Sequence, residues 1–390
     1  MRHFSYLEAT DTEALFQRTP RWFTADSSRE VLESALGATL YMPGTRTTLC
    51  ADIVKNKAAG TLSMVACLED AIADTDVPRA EVNVVEQFQA FARTGLEAPM
   101  LFIRVRTADQ IGRLVCHLDE SVAVLTGFVV PKFTPDSGEF LDAVREASAR
   151  AGRHLDAMPV LESPEIMHAE TRRSVLAEAF RLIEGYRAHV LAIRVGATDL
   201  CGLYGLRRDR NLTIWDIAVV REALADIVNI FARGGRYTVT GAVWEYFSSG
   251  ERIFKPTVRE SPFRRSDLPD GPKVRSRLVG KDLDGLLREV VLDKATGMTG
   301  KTVIHPSHVR LVHAISVVTS EEFADACDII AIEDSGVGGG VQRSSSGSKM
   351  LEGRPHLLWA KQTLRRADAF GVLAEDRTFV DLLDDEWHHA

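Results

Sequence analysis

Two carboxylates stand at the ends of apolar runs that look alike. Met158 to Glu165 reads MPVLESPE and delivers Glu162, and Leu191 to Leu206 reads LAIRVGATDLCGLYGL and delivers Asp199 just beyond Gly196. A largely apolar run that ends at glycine is the pattern of a strand buried on both faces, so each carboxylate falls at a strand's C-terminal mouth. Two such mouths side by side make a hard, oxygen-rich site suited to Mg2+, with Mn2+ the alternative. The competing reading is a pair of rim carboxylates neutralised by arginine or lysine.

Other polar residues fall in the same phase. The run LSMVACLEDAI ends in Glu69 and Asp70, PMLFIRVR carries Arg104 and Arg106, and GFVVPKF places Lys132 directly after Pro131. TLYMPGTR sets Arg46 beyond a Pro-Gly break, Glu245 follows GRYTVTGAVW, and KTVIHPS ends in His305. Eight short apolar strands, most of them separated by room for a helix, predict a (β/α)8 TIM barrel whose C-terminal rim collects these side chains. A chance scatter of charges would fall at both ends.

The expected organisation is an N-terminal extension over 1–37, a barrel over 38–318 with a basic insertion at about 247–281, and a C-terminal helical arm over 319–390. The insertion is either a solvated loop or a lid for an anionic substrate. Gly338 to Gly340 have no leading strand and no following GK[ST], which makes them a hinge rather than a phosphate loop. The arm cannot bury its apolar face alone, so it must pack on the barrel or on a neighbouring subunit.

Composition narrows the function. The chain has 390 residues, 45% of them hydrophobic, and a net charge of −8, which suits a large core and argues against a nucleic-acid binder. No apolar window is long enough for a membrane span, and the charged start lacks a signal-peptide core. Five separated cysteines without a CxxC pair favour reduced thiols, and the expected location is the cytoplasm.

In order along the chain, LYMPGTR, CLEDAI, IRVR, VPKF, VLESPE, GATDL, GKTVIHPSH and GSKMLEGRPHLLWA resemble the motifs of the HpcH/HpaI aldolase and citrate lyase β-subunit family. The resemblance spans about Leu40 to Ala369. It implies a Mg2+-dependent carbon–carbon lyase, or the reverse synthase, acting on a small oxo- or hydroxy-acid or its CoA thioester. Glu162 and Asp199 would hold the metal, and Arg104 would clamp an enolate or carboxylate. Glu69 and Asp70 would orient Arg104 or reach the metal through water, with Arg46, Asp70, Lys132 and His305 on the substrate. Glu352 would be the general acid or base, carried by the arm into a neighbour's site, since family members are commonly trimers or hexamers.

The chain departs from the family pattern at Cys67, Arg106, His308 and Glu352, a combination similar to the divergent subgroup associated with tellurite-resistance gene clusters. Rival readings are a class II aldolase on a free 2-oxo acid and an idle barrel that binds an anionic ligand. Lys132 also raises a Schiff-base route, against which an ion pair with Glu162 is the plainer expectation.

Overall fold

The apolar runs become the staves of a barrel. In the computed structural model, which describes residues 1–247, 283–334, 341–344 and 349–383, seven strands lie parallel in one curled sheet. They are β1 (Ala38–Pro43), β2 (Ser63–Cys67), β3 (Met100–Arg104), β4 (Leu125–Val130), β5 (Asp156–Leu161), β6 (Arg194–Val195) and β7 (Lys301–Val303). Their order is β6, β5, β4, β3, β2, β1, β7. The gap between β6 and β7 is filled by the stretch expected as a strand at Tyr237 to Val243. That stretch forms single parallel bridges, Ile193 with Val239 and Gly241 with Lys301, which close the ring.

The irregular stave has a local cause. A Cβ on Gly241 would stand 3.0 Å from Asp293 Cγ and 3.1 Å from the Gly300 carbonyl oxygen, so the backbone is pressed against its neighbours. The last strand also differs from expectation, covering Lys301–Val303 rather than Thr302 to His305, because His305 and Pro306 already turn into the helix Ser307–Ser316. The basic segment 248–281 and Gly338 to Gly340 lie outside the described residues.

Alternation along the strands sorts the core into two layers. Val65, Phe102, Val129, Met158 and Val160 face the lumen, whereas Leu40, Met64, Leu101, Ile103 and Phe128 face the surrounding helices. Ala108–Leu118 shows why those helices form where they do: Thr107 and Gln110 make a capping box, and Ile111, Leu114, Val115 and Leu118 bury one face. Each such buried leucine contributes about 2 kcal/mol.

Both ends of the chain close the barrel floor. Met1, Phe4 and Phe16 join the lumen cluster, and the strand Phe16–Arg18 pairs antiparallel with Val372–Leu373. The arm helices Ser320–Asp334 and Gly353–Phe370 pack on each other, and the second also lies against Arg29–Ala35. The described arm helices therefore bury a face against their own chain. No helix among the described residues is long and apolar enough to cross a membrane.

The floor carries a titration of its own. His3 and His313 are buried with ring centroids 4.5 Å apart, His3 Nε2 pairs with the Ala35 carbonyl at 2.8 Å, and His313 Nε2 accepts from the Ala38 N–H at 3.2 Å. Burial pushes His3 down from 6.5 to about 4, and burial and His3 together push His313 well down too. The unfolded chain takes up protons in that window and the folded chain does not. The His3 contribution to stability is thus full above about pH 6.5 and lost as pH drops towards 4, on the order of 3 kcal/mol in all. The wild-type urea midpoint, taken relative to that of His3→Asn, should fall between about pH 7.5 and 5; parallel pH profiles would remove His3 as the cause.

Candidate active site at the barrel rim

Arg104, the last residue of β3, gathers the rim carboxylates. Its Nη2 lies 2.6 Å from Glu69 Oε2, 2.8 Å from Glu162 Oε1 and 3.1 Å from Asp70 Oδ2. Burial works against its charge, but Glu162, Tyr41 and Glu69 outweigh it and hold the guanidinium charged. Its Nε is buried without a partner.

Lys132 departs from expectation. Its ammonium pairs with Glu69 at 2.7 Å and Asp70 at 3.3 Å, not with Glu162. The reason is backbone geometry: Lys132 has φ +45°, a left-handed conformation that costs a non-glycine residue about 1 kcal/mol or more. This turn aims its N–H at Glu162 Oε1, 3.0 Å away, and sends the side chain towards the β2 loop. Burial lowers the lysine's affinity for its proton, but Glu69 and Asp70 raise it by more.

Glu162 is almost fully buried. Desolvation pushes its carboxyl up to about 7; Arg104 opposes this and Asp199 adds to it. Asp199 is raised as well, by burial and then by the charge of Asp70. One oxygen each from Asp70, Glu162 and Asp199 lie within 4.8 Å of one another. Three hard oxygen donors that repel one another fit a divalent cation of the Mg2+ type. Asp70, expected on the substrate, on Arg104 or on the metal through water, lies with the two expected metal carboxylates.

Three expected residues bond elsewhere. Arg46 is half-exposed and donates from Nε to Asp52 Oδ2 at 2.8 Å, on the helix Leu49–Ala58. His305 stacks on Phe247 with centroids 4.7 Å apart, and its Nδ1 lies 2.7 Å from Ser307 Oγ. Glu352 ends the short strand Met350–Glu352, and its backbone N–H donates to His356 Nδ1 at 3.3 Å. No ion pair among the described residues links Glu352 to the rim cluster of its own chain.

Two supports were not foreseen. Arg106 donates to the carbonyls of Leu68, Glu69 and Ile72 at 2.7, 3.0 and 3.0 Å and pairs with Asp74, fixing the loop that presents Glu69 and Asp70. A second network is buried behind the irregular stave. Lys301 Nζ reaches Glu289 at 2.9 Å and Asp293 at 2.7 Å, Arg208 pairs with Glu289 and Glu245, and Thr198 donates to Glu245 beside Asp199. Two acids four residues apart on the helix Asp284–Ala295 were its visible signal.

A parallel barrel with an arginine-centred carboxylate cluster at its C-terminal rim has the plan of a barrel enzyme. The chain belongs to the C–C bond lyases of the TIM-barrel fold, whose family model matches residues 30–372, and it is a carbon–carbon lyase.

Among solved structures it is similar to CitE from Mycobacterium tuberculosis in complex with magnesium, acetoacetate and coenzyme A. That match has 21% identity over 86% of this chain and 99% of that one, with a TM-score of 0.52, which establishes the fold. The citrate lyase β subunit of M. tuberculosis with oxaloacetate and magnesium also matches, with 20% identity over 72% and 97% of the two chains and a TM-score of 0.42. A third match is Haloferax volcanii malate synthase, with 13% identity over 75% and 76% and a TM-score of 0.48. No curated protein matches the sequence.

Proposed function

We propose that this lyase is Mg2+-dependent and makes or breaks a carbon–carbon bond in a small oxo- or hydroxy-acid or its CoA thioester. The observation that carries the reading is the convergence of Asp70, Glu162 and Asp199 oxygens within 4.8 Å of one another, next to Arg104. The CitE structure similar to this chain holds magnesium, acetoacetate and coenzyme A, which agrees with it.

Asp70, Glu162 and Asp199 would hold the ion, which when bound polarises the oxygens of the acid. Arg104 holds the negative charge that develops as the bond breaks, because a guanidinium stays protonated and offers several donors in one plane. Glu69 fixes the direction of Arg104. Lys132 balances Glu69 and Asp70 and keeps its proton, so it is no nucleophile. Arg46 and His305, further out, serve as contacts for the distal part of the substrate. Glu352 acts as proton donor or acceptor in the site of a neighbouring subunit.

Enolisation can be followed without knowing the full substrate. Exchange of the methyl protons of pyruvate in deuterium oxide should require Mg2+, stop with EDTA, and survive borohydride treatment. Exchange that persists in EDTA, or a borohydride-trapped adduct on Lys132, would replace this mechanism with an imine one.

A further inference from the structure

Five cationic side chains are buried among the described residues: Arg104, Arg172, Arg194, Arg208 and Lys301. Four of them hold carboxylates, namely Glu69 and Glu162 on Arg104, Asp226 on Arg172, Glu289 on Arg208, and Glu289 with Asp293 on Lys301. Arg194 holds none. Its Nη1 donates to Thr39 Oγ1 at 3.2 Å and lies 3.8 Å from Met158 Sδ, and its Nη2 donates to Thr302 Oγ1 at 2.6 Å. Its Nε is buried with no partner. An uncompensated buried guanidinium costs several kcal/mol, a cost a fold retains where an anion arrives to offset it.

The position of Arg194 says which anion. Its partners come from β1, β5 and β7, so the side chain crosses the lumen. Val160 pairs with Arg194 in the sheet, and Glu162 stands two residues further along β5 on the same side, about 7 Å nearer the rim. Tyr41, whose ring lies 5.4 Å from the guanidinium carbon, and Thr302 are both only half-buried. A diacid held by one end at the rim would extend its second carboxylate down the lumen towards Arg194.

We propose that Arg194 anchors an anion subsite in the barrel lumen that takes the second carboxylate of a dicarboxylic hydroxy- or oxo-acid. This rests on the reading of the rim as the site that holds the other end. Nη1, Nη2 and Nε supply five N–H donors, more than two threonine hydroxyls, one thioether and the Tyr41 hydroxyl occupy. Arg194 is thus a specificity-determining residue, and the Thr39 and Thr302 hydroxyls hold it ready.

Calorimetry with lactate, malate and 2-hydroxyglutarate at saturating Mg2+ tests the subsite. The three acids share a chelating 2-hydroxy carboxylate, and only the last two carry a second carboxylate. At least one diacid should bind wild type about 10- to 100-fold more tightly than lactate. In Arg194→Met that preference should vanish while lactate affinity stays. In Arg194→Lys part of it should remain.

A wild type that prefers neither diacid overturns the proposal, as does an Arg194→Met protein that keeps the preference. If Arg194→Met does not fold, the wild-type series and Arg194→Lys decide. Failure of Mg2+ itself to bind sinks the rim reading alone, and the subsite is then read from metal-free diacid binding, with the same two outcomes.

Discussion

Asp199→Asn is expected to abolish turnover and to weaken Mg2+ binding by at least about 100-fold, the equivalent of the roughly 3 kcal/mol lost when one partner leaves a buried charge cluster. Its apo fold should be no less stable than wild type. Glu162 is raised from 4.5 to about 7 partly by Asp199, and a carboxyl raised by folding contributes stability below its unfolded value that is lost as pH climbs through the folded one. The Glu162 contribution to the stability of apo wild type is therefore lost between about pH 4.5 and 7, and removing the Asp199 charge lessens that loss. Mg2+ should raise the wild-type melting temperature at about pH 8 and leave the variant unmoved. Unchanged Mg2+ affinity in calorimetry would rule out this metal site.

The same variant locates Glu352. Mixed oligomers of Asp199→Asn and Glu352→Gln subunits contain some sites with both carboxylates intact only if Glu352 acts across a subunit boundary. A fraction of turnover should then return. Silence in the mixture would end the shared-site reading and leave the metal site standing.

The rim was legible because strand period and chemistry point the same way. A run such as LFIR in β3 leaves little choice about which end is buried, so Glu69, Arg104, Lys132, Glu162 and Asp199 had to share one mouth, and they do. Partner choice was not legible, since it turns on single torsions. The positive φ of Lys132 swaps its ammonium from Glu162 to Glu69 and Asp70. Arg46 was placed by its strand end, yet Asp52, six residues on, holds its side chain. Arg194 sat in plain view inside LAIRV, but one-dimensional pattern cannot say that the strands around it offer hydroxyls and a thioether instead of a carboxylate. The closing stave was expected as a strand because its residue types fit one. What makes it irregular, the carboxylate of Asp293 pressed on Gly241, lies 52 positions away in sequence.

Gly196→Ala should be a severely damaging single-methyl change at the rim. A Cβ at this position would stand 2.5 Å from Glu162 Cβ and closer still to its Oε2, where real Cβ atoms keep at least 3.0 Å. Glu162 has no room to yield. It is buried, its Oε1 accepts from Arg104 at 2.8 Å and from the Lys132 backbone at 3.0 Å, and β5 is paired with β6 through Leu161 and Val195 directly beneath. Either β5 and β6 separate or Glu162 swings out and leaves Arg104 one carboxylate short. Overpacking and the loss of a charged hydrogen bond together cost about 3–5 kcal/mol. Displacing a ligand by even 1 Å costs about 100-fold in rate, so enolisation should fall by at least that factor and Mg2+ affinity with it. Gly202, at the end of the helix that carries Asp199, has nothing within 4 Å of an added Cβ and serves as control. Gly202→Ala should leave exchange, Mg2+ binding and the urea midpoint within error of wild type. If Gly196→Ala does the same, Glu162 does not occupy the position from which the rim cluster is built.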